Sequence, residues 1–252
     1  MVGRVGADGQ NMERKGKGMT TEAYRDLVAA IERHRDEERA AQAKRYHKSR
    51  LVHWGVRIPD LDRHCRAATA VLGSDEILDL ASVLWTSGVH DLRIAAGGLL
   101  AHRKVAPGQA CWDRVLAFMA EVDGWALADR MMHGAWRCIA ADDRRMDELE
   151  QWTVCAGFWW RRAALVFTLP LAKPGADPSR PLGWAAGYVS DPEWFIQKAI
   201  GWWLRDLGKH DPDRVVDFLN RHWPDLKGVA RKEATRRLAP VERARIPGLS
   251  AV

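Results

Sequence analysis

From Thr21 onward, almost every segment has apolar residues at three- or four-residue spacing and there are no alternating β-branched runs, so the chain reads as a series of helices, each burying one stripe. The segment "TTEAYRDLVAAIERHRDEERAAQAKRY" predicts one long, charged amphipathic helix opening on a Thr cap. The chain restarts at Asp60, and "GSDEILDLASVLW" then sets a Ser or Asp cap ahead of an apolar stripe. Further helices are predicted at about 90–104, 109–121, 124–140, 143–155, 158–172, 192–208, 211–220 and 227–238. The one long breaker-rich interruption, "LAKPGADPSRPLG" over 171–183, predicts a surface loop between helices.

Many helices with short connections suggest a bundle or a solenoid, and an internal period bears on the choice. The segments "DLRIAAGGLLAH", "WWRRAALVFTLPL" and "FIQKAIGWWLRDL" each set a basic residue before small residues and then a bulky apolar run. Arg162 and Lys198 are 36 residues apart, and Arg93 precedes Arg162 by 69, close to two such periods, so a skipped copy is expected to begin near 126. This spacing is near that of HEAT-type repeats, in which the second helix of each pair lines a concave surface. The expected fold is therefore all-α, a solenoid of HEAT-like helical repeats with a curved, basic concave surface. Arg93, Arg162 and Lys198 form a basic ladder along that surface, and unrelated helices in a generic bundle are the alternative. One repeat domain is expected over 20–252, after a Gly-rich charged leader at 1–19 that lacks the apolar core of a secretory signal.

Composition adds sign and compartment. A formal net charge of +6 favours a polyanionic partner such as nucleic acid or an anionic membrane surface. No apolar run is long enough to span a bilayer. The four cysteines form no CxxC pair and the nine histidines show no ligand spacing on one helix face, so a cytoplasmic protein without metal or cofactor is expected. Thirteen tryptophans stand beside three tyrosines and five phenylalanines; indoles fill gaps between helices and also make platforms for bases, sugars or cations.

Within "AEVDGWALADRMM", Trp125 lies one helical turn before Asp129, which places an indole and a carboxylate on one stripe. A half-buried amphipathic helix with Trp125 in the core explains this as well as a site does. For Trp202 in "IGWWLR", core packing is likewise the simpler reading, and Trp203, Trp159 and Trp160 are expected to be packing residues.

Several segments in a fixed order resemble the DNA alkylation repair glycosylases of AlkD type, over about Lys44 to Leu238. "AKRYHKSRLVHWGVRIPDLDR" is similar to the family's opening Tyr-x-Lys followed by Gly-hydrophobic-x-x-Pro, on Tyr46, Lys48, Gly55, Val56 and Pro59. "LWTSGVHDLRIAAGGLL" resembles its Trp-containing helix hairpin, and "VDGWALAD" its Trp-x-x-x-Asp catalytic element. "FWWRRAALVFTL" carries an Arg-Ala-Ala motif at Arg162 to Ala164, and "EWFIQKAIGWWLRDLGKHDP" a Gln-Lys-Ala-Ile-Gly-Trp motif from Gln197 to Trp202. The sequence departs from the family at Gly124 and Ala126, where an aromatic and an acidic residue are usual.

The resemblance implies a monofunctional glycosylase that hydrolyses the N-glycosidic bond of N3- or N7-alkylated purines such as 3-methyladenine and 7-methylguanine in duplex DNA. It implies Asp129 as the catalytic carboxylate, Trp125 and Trp202 as aromatic walls, and Arg162 on the DNA backbone, with Tyr46 and Lys48 near the DNA; Arg93 and Lys198 are set on the DNA-binding face by the repeat register. Such an enzyme acts as a monomer and holds the duplex without enclosing the lesion. A non-catalytic HEAT-like binder of damaged or branched DNA and a protein-interaction scaffold are the alternatives.

Overall fold

The computed structural model describes residues 21–250. The expected leader at 1–19 lies outside the described residues. Among them the fold is all-α: no strand forms, and the sole β feature is an isolated bridge between Val52 and Val89. The helices are α1 (21–32), α2 (Glu37–His47), α3 (Ile58–Ala68), α4 (Ser74–Trp85), α5 (His90–Leu99), α6 (Gln109–Ala120), α7 (Trp125–Arg130) and α8 (Met132–Ala141). They continue as α9 (Arg144–Trp152), α10 (Phe158–Phe167), α11 (Ser179–Gly187), α12 (Trp194–Leu207), α13 (Pro212–His222), α14 (Gly228–Ala234), α15 (Pro240–Arg243) and α16 (Pro247–Ser250).

Four expectations change. The long first helix is two, because the chain turns after residue 32 and the Asp36 carboxylate accepts from Arg39 N at 2.9 Å, capping a new start. The helix expected over 124–140 is interrupted at Met131, so α7 and α8 are separate. The one expected over 158–172 ends at Phe167, and a 3-10 turn, Leu169–Ala172, follows around Pro170, whose ring removes a backbone donor. The breaker-rich loop is shorter than expected: Asp177 accepts from Ser179 N and Oγ at 3.0 and 2.6 Å, and α11 begins there.

The described residues pack as two compact units that meet in sequence at Asp142 and Asp143. In the first, α3, α5 and α7 pack in one row and α4, α6 and α8 in a second, the alternation expected of stacked helix pairs. Leu84, Trp85, Ala96 and Trp112 are buried in this unit, where Trp85 stacks on Phe118 at 4.1 Å. The second unit has the row α10, α12 and α14, with Ile200, Trp203 and Leu204 buried. Gly201 sets the closeness of α12 and α14, since a Cβ there would lie 2.7 Å from Glu233 Cβ and 2.9 Å from Ala230 O. Gly55, at φ +74, occupies the left-handed region, and its missing Cβ would fall 2.4 Å from Asp36 O and 2.5 Å from Ala40 N at the start of α2.

Candidate active site

In the first unit two carboxylates bring loop residues to helix starts. Asp123, just before α7, accepts from Ser49 Oγ at 2.7 Å and from Arg50 N at 2.9 Å. That holds the end of α2 beside Trp125, the first residue of α7. Asp91, in the first turn of α5, accepts from Trp54 N at 2.8 Å and Val56 N at 2.7 Å. His90 N donates to Val52 O at 2.8 Å on the same side, so the 52–56 segment is laid along the start of α5.

The result is a cavity of about 610 Å³ whose lining includes Tyr46, His47, His53, His90, Trp125 and Asp129. The one-turn spacing read from the sequence therefore places Trp125 and Asp129 on the same wall, both half-buried. Tyr46, 70% exposed, meets the Trp125 ring edge-on at 5.6 Å and 85°. Behind it, His53 stacks on His90 at 4.3 Å, His90 on His47 at 4.7 Å, and His47 tilts against Trp125 at 5.2 Å. Burial, reinforced by the neighbouring imidazoles of His53 and His47 and by Arg93, pushes His90 down to about 3. Burial also lowers His47, with His53 acting the same way, while Asp91 and Asp123 oppose the shift.

Arg130 follows Asp129 on α7 and is held across α5. Its Nε donates to Ile94 O at 3.2 Å and its Nη2 pairs with Asp62. The Gly97-Gly98 pair makes the passage, since a Cβ on Gly98 would lie 2.4 Å from Arg130 Nη2. Ala126 also lines the cavity, whereas a Cβ at Gly124 would meet only His47 O, at an ordinary 3.6 Å. Lys48 caps α2 in the left-handed region at φ 53 with an exposed side chain. Arg93 is held by the protein: it donates to Trp85 O at 2.8 Å, pairs with Glu121 Oε2 at 2.8 Å and lies over the Trp85 ring.

In the second unit the motif residues are more deeply placed. Arg162 on α10 is 3% exposed, and its Nη1 donates to Phe195 O at 2.8 Å. Arg161 donates to Cys155 O at 2.8 Å and pairs with Asp191 at 3.2 Å. Lys198 lies 2.5 Å from Glu233 Oε2, and Arg205 pairs with the other oxygen of that buried carboxylate. Trp202 is half-buried and its indole N–H donates to Asp206 Oδ2 at 3.2 Å, while Trp203 is fully buried as expected. Trp159 and Trp160 pack against Phe195 and Trp152 respectively, each leaving some surface in solvent.

Two features escape the sequence. The histidine stack joins positions 47, 53 and 90, which no local spacing connects; among the described residues no group of His, Cys, Asp or Glu is arranged to hold a metal ion. Gln197, fully buried, directs Nε2 at Tyr188, Val189 and Asp191 carbonyls at 3.1, 2.9 and 3.0 Å and accepts from Lys227 N at 3.0 Å. Its signal was an amide one residue before Lys198 in an otherwise apolar stripe.

The family model described as "DNA alkylation repair enzyme" matches residues 27–238. The chain belongs to the DNA alkylation repair enzyme family. Its fold is that of solved helical-repeat structures. A predicted DNA alkylation repair enzyme from Enterococcus faecalis superposes with a TM-score of 0.67 at 21% identity, covering 82% of this chain and 97% of that one. AlkD2 from Streptococcus mutans gives 0.56 at 17% identity over 72% of this chain and 90% of its own. The protein smu.31 from Streptococcus mutans UA159 gives 0.56 at 17% identity over 72% and 93%. No curated protein matches. As a DNA alkylation repair enzyme the chain has DNA as its partner, and no described helix is long and apolar enough to cross a membrane.

Proposed function

We propose that this DNA alkylation repair enzyme is a monofunctional glycosylase that removes cationic N3- or N7-alkylated purines from duplex DNA, as a monomer whose 20–252 repeat domain offers the duplex a basic concave surface. The observation that carries the reading is the shared wall: Asp129 and Trp125, half-buried one turn apart, line one cavity with Tyr46 at its mouth.

The chemistry asks little more of the protein. Alkylation has already made the purine a cation, so the C1′–N bond breaks with its electron pair returning to the base, which departs neutral without a general acid. The sugar is left with oxocarbenium character, and a fixed carboxylate stabilises that charge; removing such a group typically costs about 10²–10³ in rate. Water then adds at C1′, forming the C–O bond and passing its proton to Asp129 or to solvent. The Trp125 face favours a nearby cation. Trp202 is assigned a second aromatic wall, and Arg162, Lys48, Tyr46, Arg93 and Lys198 contacts to the DNA.

The test is release of 7-methylguanine and 3-methyladenine from methylated duplex under single-turnover conditions. Wild-type protein releases both, and Asp129→Asn slows release by about 10²–10³ with little change in DNA affinity. Full activity in that variant removes Asp129 from the mechanism. No release by wild type at low salt leaves binding of damaged or branched DNA as the activity.

A further inference from the structure

We propose that His47, His90 and His53 are positioning residues for the site: a cluster of three mutually packed imidazoles that seats the Trp125 indole against the sugar-facing wall. The inference rests on the glycosylase reading for its kinetic consequence, though not for its structural one. Trp125 is the first residue of a six-residue helix, so one short turn alone does little to fix its ring. What backs the ring is His47, at 5.2 Å between centroids. His47 is in turn backed by His90 at 4.7 Å and 21° between planes, and His90 by His53 at 4.3 Å and 14°. His53 also lies 5.9 Å from His47 at 17° between planes, so the three rings pack as a compact cluster, and the cluster is anchored to backbone, since His53 Nδ1 lies 3.1 Å from Leu51 O, a pairing in which the ring donates.

Protonating His47 and His90 together would set like charges within 5 Å of one another in a half-buried place, which opposes charging this pair while the rings stay packed. The groups around the cluster divide by sign. Asp91 and Asp123 attract a proton to His47, and Asp129 lines the same cavity. Arg93 repels a proton at His90, and Arg39, Arg57 and Arg130 line the cavity. Arg39 is already paired with Asp36, Arg57 with Asp60, and Arg130 with Asp62. The carboxylates that act on His47 are engaged as well: Asp91 by two backbone amides and Asp123 by Ser49 and Arg50 N. Burial lowers His47 and His90, so these two rings are uncharged at neutral pH. An uncharged wall also spares the cationic lesion and the developing sugar cation the repulsion that an imidazolium at this position would exert.

The test uses full-length protein labelled with 5-fluorotryptophan, with the Trp125 resonance assigned by its loss in Trp125→Phe. On acidification below pH 6.5 the wild-type Trp125 signal shifts or broadens while the signals from the unit 2 indoles hold, which reports the histidine cluster opening in a folded protein. In His47→Phe the signal keeps its position at pH 7 and loses most of that pH response. In His47→Leu it moves already at pH 7. In parallel, His47→Leu lowers the single-turnover release rate about tenfold without weakening duplex binding, and His47→Phe restores most of the rate. A Trp125 signal indifferent to His47→Leu and to pH overturns the proposal, whatever the activity. If wild type shows no base release but the fluorine response appears as described, the histidine cluster stands and the glycosylase reading falls. If release is unaffected by His47→Leu while the signal moves, the cluster is structural packing and the positioning role is overturned.

Discussion

The row helices of the two units carry motif residues at matching places, yet use them differently. On α7, Trp125 and Asp129 face a cavity and are framed by other rings. On α12, Gln197, Lys198 and Gly201 are spent on holding the helix to its neighbours: Gln197 ties it to the end of α11 and the start of α14, Lys198 pairs with Glu233, and Gly201 admits the α14 backbone. A densely matching motif therefore need not be dense in chemistry. Asp and Trp at an open wall cost the fold little to keep and give it a surface, whereas a buried amide with four hydrogen-bond partners is a structural part.

That contrast predicts opposite phenotypes. The largest expected effect is Asp129→Asn, which removes about 10²–10³ of the release rate while thermal unfolding stays within a degree or two of wild type. Gln197→Leu does the reverse. It takes the amide away from the buried Val189 carbonyl and from the part-buried Asp191 O and Lys227 N, at about 1–3 kcal/mol for the buried group and less for the others, so a loss of a few kcal/mol is expected in urea unfolding. A Gln197→Leu protein as stable as wild type would erase the distinction between the two regions. Next in size is Gly201→Ala, expected to cost about 1–3 kcal/mol because α12 and α14 must part.

Acid sensitivity sharpens the comparison from the other side. His90 binds a proton in the unfolded chain near its ordinary value of 6.5 and in the folded chain only at about 3. Its contribution to stability is thus fully present above pH 6.5 and is lost progressively as the pH falls towards 3. His90→Phe, followed by thermal unfolding between pH 7 and 4.5, is expected to flatten that decline, while His210→Phe in the exposed turn of unit 2 leaves it unchanged. The smallest effect concerns salt. Lys48→Ala is expected to reduce the salt slope of duplex binding by roughly 1, and Arg93→Ala by less, because Arg93 is already paired within the protein.

Much of the fold was legible, because an apolar stripe at helical spacing is a local signal that tertiary packing reinforces. The 36-residue register also located α7, which begins at Trp125 where a skipped copy was expected near 126. The breaks were less legible. Asp36 and Asp177 both start helices by side-chain capping, but one sits inside a continuous charged stretch and the other among prolines that obscure it. Of the site, the Trp125 and Asp129 pairing follows from one helical turn, so sequence reached it. The histidine cluster did not follow from anything local: it exists because Asp91, Asp123 and the Val52 to Val89 bridge fold a loop onto two helix starts.

Gly55 gives that arrangement a mechanical side. Helix α2 runs eleven residues, roughly 16 Å at the usual rise, with Tyr46 and His47 at its far end. Its near end rests on Gly55 so closely that no side chain fits between them. The contact works as the fulcrum of a rigid rod, and a single methyl group added at position 55 would be felt more than a dozen ångströms away, as a swing of the aromatic ring at the mouth of the cavity.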